Sequence, residues 1–407
     1  MKANFIYSDL NPCGGGERLT LVTMQAILEI GIDIELTTLE MPDITKIENS
    51  FGKDLASVIN KIKKIHILKH ILDEQSICNI LKNKYDIIIN THGDIDPFYD
   101  KSFSKNNAIT YCHYPSTKYF IESENIEYLE KHIKIARETS LSHNFASINS
   151  QNIVEFDKKK YLKWLKDRYD KMMCNSIILT NSEYSRKAIS EAYGIRDIIV
   201  ISPPVDIDIF RNSLLLSAPS YTNDKRDDFI LIISRIEPSK RIENAIELAK
   251  LLKEKGIGKG QIIVGSLEHR YNDYYIRLKK MILDFNLADY VTLEINASLK
   301  TLLSLIKKSK VYFHPRSGEH FGMSIVEAMS AGLIPVVPGN GGQTEFVPLK
   351  YQYHTLEQAA QIISIAFKAS DSERLMISNS VKKFSTLNYK RSFQQIVNEL
   401  LVKISKR

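Results

Sequence analysis

Cysteine is scarce in this sequence. Cys13, Cys78, Cys112 and Cys174 are scattered through 407 residues without C-x-x-C spacing, which argues against a disulfide framework or a zinc site and for buried thiols in a reducing compartment. No apolar run approaches the roughly 18 residues that a membrane-spanning helix needs. The apolar piece in MKANFIYSDLNP is too short for a signal peptide and reads as a first strand. A cytoplasmic protein is therefore expected. Short-period repeats and low-complexity tracts are also missing. Neither sign of charge dominates: 55 Lys and Arg stand against 48 Asp and Glu, a net +7. That balance leaves room for an anionic partner, a nucleotide or a membrane surface, while the interspersed acids speak against a dedicated nucleic-acid binder.

With 43% hydrophobic and 25% charged residues, the chain can bury a real core, and its length suits two or three domains. Short β-branched runs alternate with longer helix-periodic segments, the pattern of a parallel α/β sheet. NFIYS, DIELTTL, YDIIIN, AITYCHY and SIILTN read as strands in the first half; FILIIS, QIIVG, VTLEI, VYFHP and LIPVVP do so in the second. RIENAIELAKLLKEKG and LKTLLSLIKKSK read as helices between them. The architecture appears twice. The break falls in ISPPVDIDIF, where two adjacent prolines stop strand and helix alike, and the polar stretch 217–228 reads as a surface loop. Residues 1–203 and 204–388 are expected as two Rossmann-like domains facing a central cleft, and 389–407 as a helix packing back on the first domain.

The richest segment is SGEHFGMSIVEAMSAG, residues 317–332. Seven residues separate Glu319 from Glu327, with Gly318 and Gly322 permitting close approach to backbone. A strand, VYFHP, precedes the loop, and a helix follows whose free amides and positive dipole end suit phosphate or polar sugar groups. The plain alternative is that Ser324-x-x-Glu327 is a capping box and Glu319 a solvated loop residue. Upstream, FILIISRIEPSKRIENA brings Arg235 and Lys240 to a strand's C-terminal edge, where two cations can stabilise a departing diphosphate.

GEHFGMSIVEAMSAG, followed by LIPVVP and GNGGQTEFV, closely resembles the E-x7-E region of family 4 retaining glycosyltransferases, which have the GT-B fold. The resemblance implies that Glu319 contacts hydroxyls of the donor sugar and Glu327 the ribose of its nucleotide. Backbone around Phe321, Gly322, Met323 and Ser324 would meet the sugar and diphosphate. Arg235 and Lys240 are similar to the family's diphosphate-gripping pair, although Ser234 stands where the family often has glycine and Arg241 is a competing cation.

In the first half, SDLNPCGGGERLTLV places Gly14, Gly15 and Gly16 between a strand and a helix with apolar Leu19, Val22, Ala26 and Ile30. It is not a dinucleotide fingerprint, since the third glycine of G-x-G-x-x-G would fall at Leu19. A tight β–α connection explains it as well as a ligand does. GGGER nonetheless resembles the loop of mannosyltransferases that extend dolichol-linked oligosaccharide in the N-glycan pathway, which implies a place near the donor phosphates and the acceptor. AITYCHYPS ends a strand at His113. A lone histidine is usually structural, but H-Y-P is similar to the family's histidine that approaches the donor sugar. His92 and Asp94, in THGD, stand at another strand end, and Ser182 reads as a helix cap. FDKKKYLKWLKDRYDKMM sets Leu162, Leu165, Tyr169 and Met172 at helical spacing, either a core-facing stripe or an interfacial helix on anionic lipid. KIKKIHILKH is a second basic-apolar cluster.

The resemblance implies transfer of a hexose from a nucleotide-diphosphate sugar, GDP-mannose ahead of UDP-glucose, with retention at the anomeric carbon. The acceptor would be a lipid-linked oligosaccharide at the cytoplasmic face of a membrane. The alternative is a soluble synthase acting on a small-molecule or polysaccharide acceptor. No cofactor beyond the nucleotide sugar is expected. No metal site is expected either, since no D-x-D pair is read at the strand ends of the cleft. A nicotinamide dehydrogenase would need the missing fingerprint, and a basic lipid- or nucleic-acid-binding module would leave the glutamates and paired cations without a role.

Overall fold

The computed structural model describes residues 1–70, 73–82, 84–94, 101, 103–138, 145–148, 154–215 and 226–405. Most of the stretch read as a surface loop, 217–225, lies outside the described residues. The chain divides into two compact units, Met1–Ser202 with Tyr389–Arg407 and Pro203–Asn388.

Among the described residues the first unit holds strands β1 (Lys2–Ile6), β2 (Asp33–Thr38), β3 (Lys64–Ile67), β4 (Ile87–Asn90) and β5 (Ala108–Tyr111). A small antiparallel pair follows, β6 (Ala146–Ile148) with β7 (Val154–Phe156), and then β8 (Ile177–Thr180) and β9 (Ile198–Val200). The main sheet is parallel in the order β3-β2-β1-β4-β5-β8-β9. Chain order runs outward in both directions from the β1/β4 boundary, so that boundary is the topological switch point, where loops after neighbouring strands splay apart. The glycine turn, Thr91–Asp94 and His113 follow β1, β4 and β5 there.

The second unit repeats the plan. Strands β10 (Asp227–Ile233), β11 (Gly260–Gly265), β12 (Val291–Ile295), β13 (Ser309–Phe313), β14 (Ile334–Pro338) and β15 (Gln352–Tyr353) form a parallel sheet ordered β12-β11-β10-β13-β14-β15. Its switch point lies between β10 and β13. Arg235 and Lys240 follow one of these strands and Glu319 the other. The strands are near-continuous apolar runs because helices cover both faces of such a sheet; Ile230, Leu231, Ile232, Val311, Tyr312 and Phe313 have no accessible surface.

Sequence readings meet their limits at edge strands and short elements. KIKKIHILKH contains β3, an edge strand paired with β2 from Glu35↔Lys64 to Thr38↔Ile67. Lysines suit an exposed strand edge because they blunt pairing with other chains, so this run need not be a lipid-binding cluster. The helix Lys158–Cys174 buries Tyr161, Leu165, Tyr169 and Met172 in the core of the first unit, with Leu162 only partly covered. Its apolar stripe is thus used by the core, not left for a membrane. Ser182 caps its helix as read, accepting from Ser185 N at 3.1 Å.

The last helix, Thr386–Ser405, starts in the second unit and enters the first. Tyr389, Phe393, Val397 and Leu400, spaced for one helical face, are buried in the first unit's core. The Tyr389 hydroxyl also pairs with Thr23 Oγ1 at 2.7 Å, inside the core. Phe393→Ala should therefore destabilise by about 3–5 kcal/mol, and Tyr389→Phe by about 1 kcal/mol. Urea unfolding of the full chain measures both, and equal small losses would mean that the helix is only loosely docked.

Candidate functional site

In the second unit, strand β13 ends at Phe313, and residues 314–322 loop into the helix Met323–Ser330. That helix begins on Gly322, whose φ of +95° is left-handed backbone that glycine tolerates best. A Cβ there would also meet Ile325 Cδ1 at 2.5 Å. This start overturns the capping-box reading. Ser324 falls inside the first turn rather than before it, and its hydroxyl pairs with Tyr312 OH at 2.9 Å. Glu327 lies in the second turn, partly buried.

The loop is stitched to the one after β14. Gly318 N donates to Asn340 O and Gly342 N to Glu319 O. Gly341 (φ +126°) passes so close that a Cβ would lie 2.6 Å from Glu319 O. Asn244 Nδ2 donates to Pro315 O at 3.0 Å, tying the loop to the helix after β10.

Glu319 is largely buried, and three nitrogens converge on its Oε2: Lys240 Nζ at 3.3 Å, His314 Nε2 at 3.4 Å and Arg316 Nη1 at 3.5 Å. The other oxygen accepts from His320 N at 3.2 Å. Burial alone would raise the carboxyl's pKa. The charge of Lys240, with His314 and Arg316 beside it, outweighs that and holds it well below the usual carboxylate range. His314 is pushed the other way, because burial disfavours its charged form more than Glu319 favours it. Glu319 is thus a fixed anion beside a histidine held toward neutrality. Lys240 is committed to Glu319, while Arg235 is about half exposed and pairs with the buried Glu237 at 3.2 Å. Arg241 takes left-handed backbone (φ +52°) in the turn before the helix Ile242–Glu254. Phe321 is buried against Phe346 and Phe384, so the Phe-Gly pair anchors the loop.

The first unit gathers a second set. The helix Gly15–Glu29 opens on the glycine turn, where Glu17 accepts from Gly14 N at 2.6 Å and from Tyr7 OH at 2.7 Å. A Cβ on Gly16 would meet that tyrosine oxygen at 2.7 Å and would lie 3.9 Å from His113 Nε2, so glycine is required by close approach. The ring of His113 bonds Thr91 O through Nε2 at 3.1 Å, and Asn181 donates to its carbonyl. His113 keeps some accessible area but lies deep enough that burial lowers its pKa to about 4, leaving it neutral at physiological pH. The ring of His92 packs edge-on to Tyr7 at 4.6 Å.

Sequence reasoning did not single out Tyr7, Glu17, His314 or Arg316. Glu17 was legible as the fourth residue of a capping pattern begun at Gly14. His314 stands two residues after Tyr312, on the same face at the strand's end. The reading that no D-x-D stands at the strand ends needs correction too: Asp94-Ile95-Asp96 fits the pattern shortly after β4, and Asp206-Ile207-Asp208 fits it elsewhere. Ile95 and Asp96 lie outside the described residues. Asp94 Oδ2 accepts from Tyr193 OH at 3.0 Å and from Lys118 N at 3.4 Å. Among the described residues, no three His, Cys, Asp or Glu side chains gather as a metal-ligand set.

Asp94 is almost fully buried, and burial raises its pKa from 3.8 to about 7. The folded state therefore holds a proton that the unfolded chain releases near 3.8, and stability falls as pH rises through this window. Asp94→Asn should flatten that fall. Its melting temperature should exceed that of the parent at about pH 8 and not at about pH 4; parallel pH curves would contradict the assignment.

Residues 217–365 match the family model described as Glycosyl transferases group 1. A Caenorhabditis elegans protein, GDP-Man:Man(3)GlcNAc(2)-PP-Dol alpha-1,2-mannosyltransferase, is 21% identical over 320 residues, 73% of this chain and 65% of its own length. The Dictyostelium discoideum protein of the same name is 24% identical over 310 residues, 72% and 59%. This chain thus spans less than two thirds of either relative. Among solved structures, a glycosyltransferase from Rickettsia africae superposes with a TM-score of 0.65 over 98% of both chains at 16% identity. Anabaena Alr3699/HepE, in complex with UDP and glucose, gives 0.64 over 99% of both at 16%. At such identity the likeness speaks for the fold, which is the GT-B class expected from the sequence. The chain therefore has a GT-B-type α/β fold, carries a glycosyl transferases group 1 segment in its second unit, and resembles the mannosyltransferases of lipid-linked oligosaccharide assembly.

Proposed function

We propose that the chain transfers a hexose from a nucleotide-diphosphate sugar to a lipid-linked glycan, with GDP-mannose favoured as donor and UDP-glucose next. The observation that carries this is the convergence of Lys240, His314 and Arg316 on the buried, ionised Glu319. It lies beside a helix N-terminus at a sheet switch point, within the segment that matches the family. A buried carboxylate with one oxygen left to a single backbone amide retains acceptor capacity for sugar hydroxyls.

In this reading Glu319 holds donor hydroxyls and Glu327 the ribose. The first amides of the helix Met323–Ser330, with Phe321 and Gly322 backbone, receive the diphosphate. Arg235 and Lys240 stabilise the charge that grows there as the sugar's C1–O bond to phosphate breaks. The acceptor hydroxyl forms the new C1–O bond on the same face, retaining configuration. Its proton passes to the departing diphosphate, so neither a metal nor a separate general base enters the step. Gly14, Gly15, Gly16 and the neutral His113 would bound the sugar and acceptor side. The protein would work peripherally at the cytoplasmic face of a membrane; no described helix is long and apolar enough to cross one.

Thermal stabilisation of the purified chain by GDP-mannose, UDP-glucose, UDP-N-acetylglucosamine and NADH tests the donor assignment, since a ligand that binds only the folded state raises its stability. One nucleotide sugar should raise the melting temperature, and Arg235→Ala and Glu319→Ala should each abolish most of that shift. A shift with NADH alone, or donor shifts unchanged in both variants, would sink the proposal. Radiolabel transfer to a dolichol-linked glycan, compared with a free oligosaccharide, then separates the lipid-linked acceptor from a soluble one.

A further inference from the structure

The buried histidine beside Glu319 has a more defined task than lining the site. His314 retains 4% of its surface, and both of its backbone groups are fixed: its N–H donates to Val336 O at 3.0 Å and its carbonyl accepts from Tyr353 OH at 2.9 Å. The ring has no freedom to leave. Its Nδ1 lies 3.3 Å from Tyr312 OH, and that oxygen lies 2.9 Å from Ser324 Oγ in the first turn of the following helix. Nε2 lies 3.4 Å from Glu319 Oε2, a long contact, with no other hydrogen-bond partner among the described residues.

Two neutral tautomers are open to such a ring. With the proton on Nδ1, a lone pair on Nε2 would face the carboxylate, and two concentrations of negative charge would meet in a buried site. With the proton on Nε2, its positive end faces the carboxylate, and Nδ1 is free to accept from Tyr312. The second arrangement orders the chain: Ser324 donates to Tyr312, Tyr312 gives its one proton to His314 at 3.3 Å rather than to the more distant Ile233 O at 3.5 Å, and His314 presents N–H to Glu319. We infer that His314, oriented by Tyr312, is a positioning residue for Glu319 that sets the carboxylate's angle toward the donor sugar. This deepens the function proposed above and rests on it for the word donor; the tautomer itself does not. The charged groups facing the ring are Lys240 from the turn after β10, and Arg316 and Glu319 from its own loop; Tyr312 faces it from β13, and Tyr353 of β15 holds its backbone carbonyl.

Two measurements decide it. Nitrogen-15 NMR of the histidine-labelled full chain, with the His314 ring identified by its loss in His314→Gln, should show the neutral Nε2–H form at about pH 8. Tyr312→Phe should shift the ring toward the Nδ1–H form. A resting Nδ1–H tautomer, or a ring indifferent to Tyr312→Phe, overturns the inference. In transfer kinetics with whichever nucleotide sugar the parent accepts, His314→Leu should raise the donor KM about tenfold, the scale of one hydrogen bond to a charged group. His314→Gln, which places an amide N–H where Nε2 stands, should recover most of it. Equal damage from both, in variants of unchanged melting temperature, would mean that the ring only fills space. If the parent turns over no nucleotide sugar, the proposed function falls, and the ring spectrum alone decides the role of His314.

Discussion

A carboxylate taken out of water must be compensated, and much of the second unit is arranged around that requirement at Glu319. The compensation comes from three directions: Lys240 from the turn after β10, Arg316 from the same loop, and His314 from the end of β13. Each depends on a strand that stops beside the switch point, so the sheet order decides which charges meet. The loop's shape follows from the same demand. Left-handed glycines at 318, 322 and 341 let backbone approach backbone, and two amide–carbonyl bonds hold the chain against the β14 loop. A side chain at Gly341 would collide with Glu319 itself. Fixing the anion and fixing the loop are one constraint.

The first unit solves a different problem with similar parts. Glu17 is held by an amide and a tyrosine hydroxyl, and it braces the glycine turn that passes His113. The His113 ring bonds the Thr91 carbonyl, and burial keeps it neutral. The second unit's set is thus an ion cluster, whereas the first unit's set combines the carboxylate of Glu17 with a neutral histidine. In the proposed reaction, the charged cluster would suit a diphosphate and the neutral histidine would suit hydroxyls.

Legibility in the sequence followed burial. Buried parallel strands such as IIIN and FILII announce themselves as continuous apolar runs, and each strand read that way has a counterpart in the structure. Strand β3 did not, because an edge strand mixes lysine with isoleucine and passes for a charged cluster. Strands of two or three residues, β15 and β9, are too short for any period to show. At the site, Glu319, Lys240 and the glycines stand in loops that follow strands, and the resemblance of those loops to a known family singled them out more than the residue types did. His314 was not singled out, since a histidine inside VYFHP looks like part of the strand until Tyr312, Ser324 and Glu319 are seen around it. Ser324 was legible and misread: S-x-x-E fits a cap, but a left-handed glycine caps the helix two residues earlier and leaves the hydroxyl to Tyr312.

That Lys240 is already paired with Glu319 does not use up the site's capacity for an anion. The cluster sets the full charges of Lys240 and Arg316 against one carboxylate, with His314 held toward neutrality, so an excess of positive charge remains. Arg235 is paired too, but with about half its side chain exposed, where an ion pair is weak and readily exchanged. An arriving diphosphate in the proposed reaction would therefore meet cations whose present partners keep them ordered without matching their charge. Holding lysine and arginine in place beforehand removes part of the entropy that binding would otherwise cost. The same pairing keeps Glu319 ionised, so in the proposed reaction the groups assigned to phosphate and to sugar hydroxyls would hold each other in place before the ligand arrives.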